Sequence, residues 1–378
     1  MMDHEVVTGY LHGHVAEPEP AGSEPPPSIR AAIEERLRTA LQRPPCVVAY
    51  SGGRDSSLVL AVAVDIARRE GLDLPIPVTR RFTDAPAAEE SEWQDDLIRH
   101  VGLDDWVRLA IPSGDLDLVG PRSRGHLADH GVVWPPMIHA DTPLLEVARG
   151  GSLVDGEGGD EVLGTAAHRI APVESLVRSP RPLRRGRARR ALVALAPGPV
   201  RSRRVERRWA DAGLDWLRPG AFRELVLTPL AEEERRQPLS FAESVRRVPT
   251  RRTQIHMSAN RRLQAIPFDV VVSSPLLDPI VVEAIARHGG RLGSGSRADV
   301  LRTVAGDLLP SALIDRRTKA TFAEAYFGSH TKALAAAWSG EGVPHDLVDV
   351  DRLRTEWLGD RPAPMTWALV QAAWLGLR

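Results

Sequence analysis

The apolar residues of this chain fall into short unbroken runs that stop abruptly at glycine. Val47-Val48-Ala49 leads into Tyr50-Ser51-Gly52-Gly53, and Ser152-Leu153-Val154 leads into Asp155-Gly156. Short apolar runs bounded by turn residues predict strands buried on both faces. Pro75 to Thr79 and Trp106 to Leu109 read as further strands. Between these runs the spacing is helical. Ile29 to Leu41 is amphipathic, Leu58 to Ala63 opens an apolar helix, and Ala87 to Val101 reads as another. Asp141-Thr142-Pro143 predicts a helix start, with Asp141 as N-cap and proline in the first turn. Strands alternating with helices predict an α/β fold on a parallel sheet. Residues 1–28, with Glu-Pro-Glu-Pro and Pro-Pro-Pro, read as an extended arm. Residues 166–250 read as a helical insertion. Residues 331–378 read as helical, and the stripe Thr366 to Leu375 is expected to seal the core. No internal repeat is visible.

Two glycine turns follow strands. In the first, Ser51-Gly52-Gly53-Arg54-Asp55-Ser56 stands between a strand and a helix N-terminus. Such a turn suits an anion, because glycines let the backbone approach and N–H groups point at the charge. Asp55 would repel a bare phosphate, but it fits if Mg²⁺ lies between them. The second turn, Asp155 to Asp160, carries three acids. A loop after a parallel strand lies at the carboxyl edge of the sheet, where α/β ligands bind. Asp55 and Asp160 are therefore candidates to share one Mg²⁺, with Glu157 beside them as a candidate base.

The first turn is not a Walker loop. It resembles the PP-loop of ATP pyrophosphatases, which cleave ATP between the α- and β-phosphates. Gly156-Glu157-Gly158-Gly159-Asp160-Glu161 resembles the Gly-Glu-Gly-x-Asp-Glu segment of the asparagine synthetase synthase domain, a family that includes β-lactam synthetases and lasso-peptide cyclases. Two weaker matches agree: Pro275-Leu276-Leu277-Asp278, and Leu309-Pro310 followed by Arg316-Arg317-Thr318-Lys319-Ala320-Thr321-Phe322. The resemblance covers roughly residues 30–378. It implies a Rossmann-like nucleotide core over 45–165, the helical insertion over 166–250, and a catalytic-lysine and helical part over 251–378. It further implies an AMP-forming ligase that adenylates a carboxylate and passes the acyl group to an amine or ammonia. Ala49, Ser51, Gly52, Gly53, Asp55, Ser56, Phe82, Gly156, Asp160 and Arg317 would then bind ATP, Asp55 and Asp160 would hold Mg²⁺, and Glu157 and Lys319 would be catalytic.

Departures from the family narrow the expectation. The chain starts Met1-Met2-Asp3-His4, without the N-terminal cysteine of glutamine-dependent relatives, and the PP-loop at residue 51 leaves no room for a glutaminase domain before it. The family's Glu-x-Arg before Pro-Phe-Leu-Asp is replaced by Val271 and Ser273, so the acceptor is not expected to be an ordinary aspartate. Of 49 basic residues only Lys319 and Lys332 are lysine. Lysine kept in so arginine-rich a chain points to a need for a compact ammonium at Lys319; Lys332 sits in a solvent-facing helical pattern.

Composition adds limits. The single cysteine, Cys46, excludes an intramolecular disulfide scaffold and a cysteine-based zinc site. The net charge of −1 gives no overall pull toward nucleic acid. Twelve arginines and one acid lie between Leu176 and Arg208, but aromatics for base stacking are scarce there, which argues against an RNA partner. His126, His130 and His139 lack metal-ligand spacing and read as surface or substrate-wall residues. Neither a secretory signal nor an apolar run of ~18 residues is present, so the expected compartment is cytoplasmic. Two other readings share the ATP chemistry: a tRNA-modifying PP-loop enzyme, and a synthase subunit working with a separate amidotransferase or peptide-binding partner. A fold retained for binding alone conflicts with the presence of Asp55, Asp160 and Lys319.

Overall fold

The computed structural model describes residues 1–15, 28–82, 91–104, 106–112, 114–178, 185–209, 212–316 and 323–376. Five strands form one sheet: β1 (Cys46–Ala49), β2 (Ile76–Phe82), β3 (Val107–Ile111), β4 (Ser152–Val154) and β5 (Val271–Ser273). Their order is β3-β2-β1-β4-β5, and every pairing is parallel. The fold is thus an α/β core on a parallel sheet. β2 and β3 run a few residues past the predicted strands, to Phe82 and Ile111.

The strand order fixes where a ligand can sit. From β1 the chain moves outward to β2 and β3, then returns to the other side of β1 as β4. The crevice at such a reversal, outside the carboxyl ends of the strands, is the binding place of open α/β sheets. Val48 lies opposite Val154 in the register, so the loops after β1 and β4 leave the sheet at one level and face each other.

Helices cover both sheet faces. Pro279–Gly289 packs against Ile29–Leu41, which in turn packs beside Arg54–Glu70, a helix buried almost all round. That helix reads as apolar throughout because it lies between the sheet and an outer helical layer. Gly71, at φ +68°, ends it in the left-handed conformation that glycine adopts without strain. On the opposite face Val47, Val78, Leu144, Leu145 and Leu153 form a smaller core. A third core gathers Trp216, Trp338, Trp357 and Trp367 with the buried helix Trp367–Gly376, so the C-terminal apolar stripe does close a core.

Three expectations change. The arm begins with a helix, Asp3–Thr8, because Val6 and Val7 find apolar cover against the C-terminal helix; its proline-rich stretch lies outside the described residues. The predicted helix Ala87 to Val101 ends one residue early, at His100, and its first residues, 87–90, lie outside the described residues. His139 is a core residue, not a surface one: its Nε2 is 3.0 Å from the Leu116 carbonyl oxygen. The region 166–250 is helical where described, and part of its arginine excess is structural. Arg201 is buried and donates from Nε to Glu234 at 2.9 Å and from Nη1 to the Ala196 carbonyl at 2.7 Å. Among the described residues no helix is long and apolar enough to cross a membrane.

Candidate active site

The loop after β1 is held by its own hydroxyls. Ser51 Oγ accepts from the Gly53 N–H at 3.2 Å and lies 3.1 Å from Ser56 Oγ. Ser56 Oγ donates to the Gly53 carbonyl at 3.1 Å. Gly52 takes φ +83°, and Gly53 is the N-cap of the helix Arg54–Glu70, with no side chain over the helix end. The first-turn N–H groups therefore face the crevice, as an anion site requires.

The loop after β4 is pressed against this one. A Cβ on Gly156 would lie 2.7 Å from the Ser56 nitrogen, and one on Gly159 would lie 2.1 Å from Asp55 Cγ. No side chain fits at either place, so both glycines are demanded by packing of loop on loop. The result brings Asp55 and Asp160 together: the Arg297 guanidinium pairs with both, through Nη2 to Asp55 Oδ2 and Nη1 to Asp160 Oδ1. Arg297 opens the helix Arg297–Ala305. The other Asp55 oxygen, Oδ1, is buried with no hydrogen-bond partner. Two carboxylates gathered on one positive group, one of them with an orphaned oxygen, fit a Mg²⁺ whose remaining shell comes from phosphate and water. Among the described residues no group of three or more His, Cys, Asp or Glu side chains could hold a metal on its own.

Glu157 sits above a buried ion network. Arg261 donates from Nε to Asp141 Oδ2 and from Nη1 to Asp155 Oδ2, each at 2.7 Å. Asp155 Oδ1 accepts the Glu157 N–H at 2.9 Å. Arg80 approaches Asp141 Oδ1 at 3.4 Å. Burial opposes ionisation of Asp141, yet Arg261 and Arg80 hold its carboxyl below the ordinary range. Its side chain makes no N-cap bond to the helix Thr142–Val147; the capping role expected of it gives way to the ion pair. Burial, then repulsion from Asp155, pushes the Glu157 carboxyl up to about 7, with Arg261 acting in the opposite sense. The neighbouring Glu161 is held by Arg251 at 2.7 Å and Gln254 at 2.6 Å.

A cavity of about 60 Å³ at the ends of β1 and β2 is lined by Ala49, Tyr50, Ser51, Val78, Arg80, Phe82, Gln94 and Leu144. Ala49, Ser51 and Phe82 thus border one space beside the Ser51–Ser56 loop. Arg317 and Lys319 lie outside the described residues. The residue before them, Arg316, is buried and donates from Nη1 to the Gly52 carbonyl at 3.0 Å.

The family profile of asparagine synthase matches residues 28–375, nearly the whole chain. The chain belongs to the asparagine synthase family. Asparagine synthase-type proteins are ATP-dependent amide ligases, and the family implies a carboxylate and an amine as substrates. Comparison with curated proteins found no match. Within this asparagine synthase domain, sequence reasoning missed Arg80, Arg261, Arg297 and Arg316, and gave Asp141 and Asp155 no charge role. Each arginine pairs across the fold, and the only local sign was the acid-rich turn needing counter-charge.

Proposed function

We propose that this asparagine synthase-family chain is an AMP-forming ligase that adenylates a carboxylate and transfers the acyl group to an amine. The observation that carries the reading is the interlock of the two glycine loops, which sets Asp55 and Asp160 around one positive charge at the sheet's switch point. In this reading the Ser51–Ser56 loop binds the phosphates through backbone N–H groups and hydroxyls. Adenine occupies the space beside Ala49 and Phe82. Asp55 and Asp160 would hold Mg²⁺, which when bound would offset phosphate charge. The substrate carboxylate attacks the α-phosphorus, displacing pyrophosphate and leaving an acyl-adenylate. The amine then attacks the acyl carbon and AMP departs.

Glu157 is the base for the amine in this proposal. A group poised near 7 can both accept and release a proton at neutral pH. Lys319 steadies the charge that develops on the acyl oxygen and phosphate, and Arg317 contacts phosphate. The wall that carries a Glu and an Arg in relatives is here Val271 and Ser273. They border a cavity of about 390 Å³ with Arg36, Arg43, Arg261 and Arg262 beside the edge strand. The test is product analysis with candidate acids and amines: AMP and pyrophosphate are expected, formed only with Mg²⁺. Formation of ADP and orthophosphate instead would overturn the reading.

A further inference from the structure

Arg297 stands where a cation would stand. Its guanidinium spans Asp55 and Asp160 and offsets one of their two negative charges, while Arg54 adds a second positive charge nearby. A bare divalent ion approaching these carboxylates must first break both pairs and leave a largely buried guanidinium without an anion. The cost falls mainly on the Arg297–Asp55 pair, which is shielded on both sides, and less on Asp160, which is more than half exposed. An ion arriving with a polyphosphate meets a different balance. Phosphate oxygens can re-pair the displaced guanidinium, and Arg with phosphate is among the stronger charge-assisted contacts. Arg297 Nε, buried with no acceptor of its own, supplies one more donor.

The backbone allows a side-chain swing and little else. A Cβ on Gly164 would lie 2.7 Å from the Arg297 nitrogen. The Thr165 N–H donates to the Gly295 carbonyl at 3.0 Å. Ser296 and Asp299 cap the helix start reciprocally. The start of the Arg297 helix is thereby fixed to the segment that follows the acid loop.

We propose that Arg297 makes the Asp55–Asp160 pair a receptor for a divalent cation already carried by a polyphosphate, and a poor receptor for the bare cation. The proposal rests on the ligase reading only for which polyphosphate is used. Mn²⁺ and inorganic pyrophosphate serve as probes, with bound Mn²⁺ read by electron paramagnetic resonance on the full chain, without turnover. Wild type is expected to bind Mn²⁺ weakly alone and at least ten-fold more tightly with pyrophosphate. Arg297→Gln is expected to bind Mn²⁺ alone at least ten-fold more tightly than wild type. It should also lose most of the pyrophosphate enhancement, because the guanidinium that phosphate re-pairs is gone. Arg297→Lys, which keeps the charge, should stay close to wild type for bare Mn²⁺ and controls for misfolding, checked by circular dichroism. Equal affinity of wild type and Arg297→Gln for bare Mn²⁺, or tight Mn²⁺ binding by wild type without pyrophosphate, overturns the proposal. Neither result depends on which nucleotide products form, so failure here and failure of the ligase reading are separate outcomes.

Discussion

Replacing Glu157 by glutamine tests the buried network by stability, with no substrate needed. Burial and Asp155 raise the Glu157 carboxyl from its ordinary 4.5 to about 7. A raised carboxyl means the folded protein disfavours the ionised form. Below pH ~4.5 Glu157 is protonated in both states and costs nothing. Between ~4.5 and ~7 the unfolded chain ionises while the folded one resists, and the penalty grows. Above ~7 it is constant. At about 1.36 kcal/mol per pH unit the full displacement corresponds to about 3 kcal/mol. The side chain retains some solvent contact, which leaves about 2 kcal/mol after screening. Glutamine has nearly the same shape and never ionises, so Glu157→Gln should match wild type near pH 4.5 and gain on it steadily up to pH 7. The assay is urea unfolding of the ligand-free proteins at pH 5, 6, 7 and 8. A difference that stays flat across this series would refute the raised carboxyl and remove the physical ground for Glu157 as base.

Two other substitutions probe the loops. Gly159→Ala should abolish ATP-dependent turnover and lower the melting temperature, since its Cβ would land 2.1 Å from Asp55 Cγ; thermal melts and pyrophosphate release check both, and a variant of normal rate would mean the loops are not interlocked. Lys319→Arg should lower turnover by ~10²-fold, comparable to losing one charge-stabilising donor, while the exposed Lys332→Arg stays near wild type. Steady-state kinetics on the pair decide it, and equal effects would take Lys319 out of the mechanism.

The sheet was legible because its signals are local. Four of the five strands start as short apolar runs, and β1 and β4 lead into glycine turns, so alternation with helices was enough to predict a parallel α/β core; the three-residue edge strand β5, Val271–Ser273, was too short to read as one. The two loops were legible for the same reason: six consecutive residues carry each. The pairing partners were not, because they join the loops from far along the chain. Arg261 reaches Asp141 and Asp155 from the helix Arg252–Ala265, and Arg297 reaches Asp55 and Asp160 from another. In a chain whose basic residues are nearly all arginine, nothing local distinguishes these from the solvated ones. Residues 1–8 were misread for a related reason. Proline at 18, 20 and 25–27 coloured the whole arm, whereas Val6 and Val7 respond to a core built by the C-terminus.

The glycines of the second loop carry a further lesson about motif reading. In a lone turn, Gly156 and Gly159 would be assigned to anion approach. Here what approaches them is Asp55 and Ser56, so they are small because another loop fills the space. That changes what the motif specifies. The spacing of Gly156, Gly159 and Asp160 fixes the distance between two carboxylates that follow different strands, and so fixes how large a positive group can sit between them. Substitutions at these glycines should therefore act on cation and phosphate binding together, even though neither glycine offers a side chain to a ligand.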